Sequence, residues 1–298
     1  MARIRIAITG NNGQIVRSLV ERSAGTDNEV VSFGRPALDL SDPDTIDRAI
    51  GAVEADVLVS AAAYTNVDTA EAEGDLAGLI NARAPGLLAA RARSLGIPLI
   101  HLSTDYVFDG TKAAPYQEQD PICPINAYGR SKAAGERAVA STHQRHVILR
   151  TSWVYSPVGR NFVRTMLELA RKQEEVRVVA DQVGSPTAAA DIADGILAVA
   201  RNLVADGGDE RYGIFHMTAA GATNWAEFAT AAFSASAERG GPSARVVPIA
   251  SAEYQTPARR PVNSRLDCAK IARVHGVSLP HWRSSLGSCV ERILEQGV

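Results

Sequence analysis

Three observations predict an α/β fold built on a doubly wound parallel sheet. Short apolar runs, Ile4–Thr9, Val30–Phe33, Val57–Ser60, Leu99–Leu102 and Val147–Leu149, alternate with helix-length segments. The runs are apolar throughout rather than every second residue, which suits strands covered on both faces. A glycine turn follows the first run, where such sheets place a strand-to-helix corner.

Taken in order, the first run ends in Thr9-Gly10-Asn11-Asn12-Gly13-Gln14-Ile15-Val16. Gly10 permits a sharp turn, Gly13 lets backbone approach a pyrophosphate, and the helix N-terminus turns N–H donors toward it. This is a Rossmann-type reading, and its plain alternative is an ordinary strand–helix turn. A third glycine, expected for tight helix–strand packing, is replaced by Val16, which predicts a slightly wider approach. After the second run, where NAD-specific folds often carry an acidic residue for the ribose 2′-hydroxyl, stand Gly34 and Arg35. An arginine there suits a 2′-phosphate, and a solvated surface charge is the alternative.

Asp75–Leu95, rich in alanine and leucine, and Ala127–Ser141 read as helices. Between them the fourth run breaks into Ser103, Thr104 and Asp105, hydroxyls and a carboxylate at the carboxyl end of a buried strand, where open α/β sheets bind ligands. Past about residue 155 the rhythm weakens. Asp181–Thr187 is turn-like, Gly207-Gly208 and Gly240-Gly241-Pro242 punctuate loops, and helical patterns recur at Asn224–Ala237 and Pro280–Gln296. Residues 1–155 are therefore expected to form a dinucleotide-binding domain and 156–298 mainly a smaller mixed α/β substrate lobe, with some segments returning to the first domain.

The chemistry concentrates in Tyr128-Gly-Arg-Ser-Lys132. Four residues apart on a helix, a phenol and an ammonium share one face. A phenol with a pKa of about 10 is a poor acid, but beside a cation it can exchange a proton with a carbonyl or alkoxide. Such pairs also arise by chance on surface helices; the strand-end Ser103, Thr104 and Asp105 upstream raise the weight of the catalytic reading.

Composition sets outer limits. Lys and Arg total 31 against 33 acidic residues, a formal net charge of −2, which points to neither nucleic acid nor an anionic membrane surface. No window approaches the roughly 20 apolar residues of a membrane span, and the amino terminus reads as a strand, so a soluble, cytoplasmic protein is expected. Cys123, Cys268 and Cys289 are scattered without a CxxC pair, as in a reducing compartment. His101, His216 and His281 read as structural residues, with no zinc spacing.

With these residues in view, the chain resembles the extended short-chain dehydrogenase/reductases, and among them the dTDP-4-dehydrorhamnose reductases nearly end to end. The motifs that carry the resemblance are Ala61–Glu71, Ser103–Gly110, Tyr128–Lys132, Arg150-Thr-Ser-Trp-Val-Tyr155, Asp181–Thr187 and Arg260–Arg265. It implies reduction of the C4 ketone of dTDP-4-dehydro-L-rhamnose by NADPH, NADH being possible. It implies a triad of Thr104, Tyr128 and Lys132: Thr104 bonds the substrate oxygen, Tyr128 gives it a proton, and Lys132 lowers the tyrosine pKa and holds the nicotinamide ribose.

By the same resemblance Asp105 lies beside the substrate and Trp153 borders the sugar and nucleotide pocket. Gly10, Gly13, Gln14 and Ile15 approach the pyrophosphate, Asp39 and Leu40 the adenine, and Ala63, Tyr64 and Thr65 line the cofactor after the third strand. Plain structural alternatives remain for three of these: packing for Ala61–Ala63, capping for Asp39, and a core aromatic for Trp153. Certain relatives hold Mg²⁺ at a dimer interface with acidic residues after the glycine turn and after the Gly-x-Pro-Thr motif. Here those places carry Ser18 and Ala190, with Asp191 adjacent, so a metal-bridged dimer is not expected and the chain is a monomer or homodimer. A non-catalytic regulatory subunit is disfavoured by retention of the triad. An epimerase or dehydratase would share it.

Overall fold

The structure is a computed structural model describing residues 3–51, 53–205 and 208–297. The predicted strands are β1 (Arg5–Thr9), β2 (Glu29–Phe33), β3 (Val57–Ser60), β4 (Leu99–Thr104) and β5 (His146–Thr151). After them come β6 (Val154–Tyr155), β7 (Glu175–Val179), β8 (Val183–Gly184), β9 (Thr187–Ala188), β10 (Gly213–His216), β11 (Thr223–Asn224) and β12 (Arg245–Ile249). The large sheet runs β2-β1-β3-β4-β5-β10, and every pairing in it is parallel. Its order reverses between β1 and β3, and the crevice at that switch point is where α/β sheets take ligands.

The helices are α1 (Gln14–Ser23), α2 (Pro43–Ile50), α3 (Gly74–Gly78), α4 (Ala84–Leu95), α5 (Ala127–Thr142), α6 (Phe162–Ala170), α7 (Ala189–Val204), α8 (Trp225–Ala237), α9 (Ala269–His275) and α10 (Trp282–Glu295). Alternation along β1 divides them into layers. Ile6 and Ile8 face a core built with Leu19 of α1 and Ile192, Ile196, Val199 and Leu203 of α7. Ala7 faces the other way, toward Ile46 and Ile50 of α2, Leu88 and Ala92 of α4 and Val139 of α5. A separate core joins α6, α8, α10 and β7 through Leu167, Phe228, Val290 and Val176.

Three expectations are refined. The segment Asp75–Leu95 is not one α-helix: a π turn, Leu79–Arg83, separates α3 from α4. Pro85 is the reason, since it has no N–H to give the carbonyl of residue 81 and its ring crowds that oxygen. Asp181–Thr187 contributes β8 and β9, which pair with β11 and β6. The sixth sheet strand, β10, comes from beyond residue 155, as does α7, whose apolar residues at helical spacing are legible in retrospect. Gly207 of the expected Gly207-Gly208 loop lies outside the described residues.

Gly135 of α5 packs so closely that a Cβ would collide with the Asn81 carbonyl of the π turn. Helix propensity favours alanine over glycine by about 1 kcal/mol. Overpacking of backbone against backbone typically costs about 1–3 kcal/mol and should prevail. Gly135→Ala is therefore expected to lower the unfolding midpoint in denaturant melts; a raised midpoint would show that the two segments part at little cost.

Candidate active site

The apolar run of β4 turns polar at its carboxyl end, and that change positions the first group. Thr104 Oγ1 accepts from Tyr106 N at 3.2 Å, capping a short 3₁₀ turn, and donates to Asp105 Oδ1 at 2.9 Å. Both residues are buried. Asp105 Oδ2 has no hydrogen-bond partner. Burial pushes this carboxyl up to about 7, against the pull of the Thr104 hydroxyl.

Asn126 opens α5 by accepting from Gly129 N at 2.7 Å, and its amide donates to Arg259 O at 2.8 Å. Gly129 has no room for a Cβ, which would strike the Tyr106 carbonyl. The first turn of α5 therefore lies directly on the turn that follows β4, bringing Tyr128 to Thr104. Tyr106 meets the Tyr128 ring edge-on, with centroids 5.9 Å apart. Tyr128 stays partly accessible, whereas Lys132, one turn on, is 3% exposed.

Lys132 Nζ donates to Leu102 O at 2.6 Å and lies 3.5 Å from His101 Nε2; His101 Nδ1 is 3.1 Å from Ser60 Oγ. Burial brings Lys132 down to about 8, opposed by Glu136. The phenol of Tyr128 is shifted by different neighbours. Desolvation and then the Asp105 charge push the phenol above its ordinary value, and only the Thr104 hydroxyl pulls it down. The ammonium is directed at the Leu102 carbonyl of β4.

At the glycine turn, Gly10 has φ +101° and donates to Phe33 O at 2.5 Å, a backbone conformation that side chains rarely adopt. A Cβ on it would lie 3.3 Å from Ala62 Cβ, so the turn sits in the β1–β3 crevice. Gly13 precedes α1 without a side-chain cap, and the first turn has no acidic residue. Its N–H donors thus face the crevice unopposed, an arrangement that fits a diphosphate. Val16 is buried beneath this turn. Gln14 Oε1 accepts from Ser156 Oγ at 2.9 Å, and Ile15 packs against the core.

Arg35 is exposed just past β2, close enough to Asp39 for its charge to hold that carboxylate down. Asp39 is first engaged by Ser41, whose N and Oγ lie 2.9 and 2.7 Å from Oδ1, and Leu40 is a core residue. After β3, Ala61 N and Ala62 N donate to Thr9 Oγ1, while Tyr64 is gripped at both backbone atoms by Asn81, at 2.8 and 2.9 Å. Asn81 also donates to Ser131 Oγ of α5 at 3.0 Å. Ala63 and Thr65 flank this clamp.

Trp153 follows β5 with φ +49°. Its ring stacks on Trp225, centroids 3.5 Å apart and planes 6° from parallel, and a Cβ on Gly184 would reach within 2.5 Å of the ring. Asn81, Glu136 and Trp225 carry no mark in the sequence, and Ser131 and Arg150 stand there only as members of motifs, since nothing in their local pattern tells that the fold brings them behind or beside Thr104, Tyr128 and Lys132.

The RmlD substrate binding domain model matches residues 4–295. The chain belongs to this family. It is 47% identical over 294 residues to a dTDP-4-dehydrorhamnose reductase of Sinorhizobium fredii, covering 99% of each chain, and 37% identical over 286 residues to one of Escherichia coli, covering 94% and 95%. The structure of a dTDP-4-dehydrorhamnose reductase from Bacillus anthracis in complex with NADP matches with a TM-score of 0.88 at 34% identity, covering 99% of this chain and all of that one. Along α1 and α7, which carry Ser18 and Ala190, Asp191 accepts from Ser285 at 2.6 Å, Arg22 pairs with Asp194 and Glu21 with Arg292. Among the described residues no group of three His, Cys, Asp or Glu is arranged to hold a metal, and no helix is long and apolar enough to cross a membrane.

Proposed function

We propose that this RmlD-family chain reduces the C4 ketone of dTDP-4-dehydro-L-rhamnose to dTDP-L-rhamnose with NADPH. The observation that carries the reading is the meeting of Thr104, Tyr128 and Lys132 at the end of β4 in a chain 47% identical to a reductase of that name. The dinucleotide would lie along the Gly10–Ile15 turn and past Ala63–Thr65, held mainly by residues 1–155, with the sugar nucleotide between that half and residues 156–298 near Asp105 and Trp153. When bound, the reduced nicotinamide supplies a hydride to the carbonyl carbon.

The protein supplies the rest. Thr104 donates to the carbonyl oxygen and polarises it. Tyr128, whose raised pKa keeps it protonated at neutral pH, delivers its proton to the same oxygen as negative charge develops there. Lys132, charged below about pH 8, bonds the ribose and anchors the cofactor. The test is direct: given the sugar nucleotide and NADPH, the protein should consume the reduced cofactor and release dTDP-L-rhamnose. No turnover there, together with turnover of another sugar nucleotide, would refute the reading.

Cofactor choice is assigned to Arg35, an exposed cation at the end of β2 with no carboxylate at Gly34. A charge-assisted hydrogen bond is worth about 1.5–3 kcal/mol, so a preference for NADPH over NADH of roughly tenfold to a hundredfold in kcat/KM is expected, less where solvent screens it. Arg35→Asp should narrow or reverse that ratio. An unchanged ratio would leave Arg35 a surface charge.

A further inference from the structure

Behind the triad lies a buried ionic cluster that the reaction as described does not use. Glu136 follows Lys132 by four residues on the same face of α5. Its carboxylate accepts from Ser103 Oγ at 2.6 Å and from Arg150 Nε and Nη2 at 2.8 and 2.7 Å. Glu136 is 2% exposed and Arg150 fully buried. Arg150 Nη1 lies 3.3 Å from His216 Nε2, and His216 Nδ1 is 3.1 Å from Tyr116 O. A guanidinium only donates and a carbonyl only accepts, so His216 is the neutral Nδ1–H tautomer. Its pKa, pushed down to about 3 by burial and then by Arg150, agrees. The cluster thus holds one anion and one cation.

Their placement relative to Lys132 is unequal. Around the ammonium stand neutral His101 and the Leu102 carbonyl from β4, and the charge that acts on it is Glu136 from α5. Glu136 is the carboxylate on its own helix, while the Arg150 guanidinium is directed at Glu136 and His216. Stability alone does not call for such a pair, because well-packed apolar residues often replace a buried ion pair without loss. Apolar residues would not supply a negative charge one turn from a buried lysine.

We propose that Glu136, fastened by Arg150 and Ser103, is a positioning residue of the reaction: it keeps Lys132 in its ammonium form and ties the strand end bearing Thr104 to the helix bearing Tyr128. The inference rests on the assignment of Lys132 to the cofactor and Tyr128 to proton delivery.

The experiment compares wild type, Glu136→Gln and the doubly substituted Glu136→Gln/Arg150→Gln, which leaves no uncompensated charge. The alkaline limb of kcat/KM is expected near pH 8 in the wild type and about one unit lower in both variants. KM for NADPH at pH 7.5 should rise more than kcat falls, and Glu136→Asp should restore part of the limb. A limb that stays in place in either folded variant overturns the proposal and leaves the pair a structural fastening. Titration of labelled Lys132 by NMR supplies a readout independent of turnover, in the wild type as in the variants. A neutral amine at pH 7 in the wild type overturns the proposal even if neither variant folds. Should Tyr128→Phe turn over normally, the assigned function fails, whereas this titration still decides the role of Glu136.

Discussion

Tyr128→Phe is expected to lower kcat by about 10²–10⁴-fold, the usual worth of a positioned general acid. The ring keeps its volume and its edge-on contact with Tyr106, so fold and cofactor affinity should persist. What disappears is the proton donor. Burial and Asp105 keep the phenol protonated at neutral pH. Asp105 is the nearest substitute, since its carboxyl titrates at about 7. If the variant retains near-normal turnover that falls away above pH 7, proton delivery belongs to Asp105 instead.

Arg150→Met is expected to be the most damaging single change to stability, by about 3–5 kcal/mol, because it strands the Glu136 carboxylate in the interior with Ser103 as its remaining partner. The guanidinium also lies 5.1 Å from the Phe108 ring centroid, a contact that methionine replaces only in part. In a chain of this size each kcal/mol lowers Tm by roughly 2–4 °C, so a drop on the order of 10 °C should appear in a thermal melt. Replacing Glu136 by leucine in the same protein should recover much of the loss. A loss below about 1 kcal/mol for Arg150→Met would mean that Glu136 finds another partner or takes up a proton at small cost.

What could be read from the chain differs by the kind of signal. Strands β1 to β5 announce themselves as continuous apolar runs, since a parallel strand is buried on both faces, and the glycine turn and Tyr128–Lys132 are local patterns with a local meaning. The second half speaks less clearly because its strands are two to five residues long, and β8 or β9 is a strand only through its partner. Strand β10 and helix α7 join the large sheet and its core across a long stretch of chain, which no window of residues reports. Pro85 stands in the first turn of α4, and what no local signal tells is that a π turn joins that helix to α3 ahead of it.

The sequence by itself determined the α/β class, the order of the first five strands along the chain, the glycine turn and the four-residue spacing of Tyr128 and Lys132, because each rests on periodicity, a backbone requirement or spacing within a few residues. Only the tertiary structure decided which charges meet. Lys132 turns to the Leu102 carbonyl, Asp105 is left with an unpartnered oxygen, Asn81 clamps Tyr64, and Glu136 finds Arg150 and Ser103. Burial and three-dimensional neighbours set pKa values, and both arise when strands and helices far apart in the chain pack against one another.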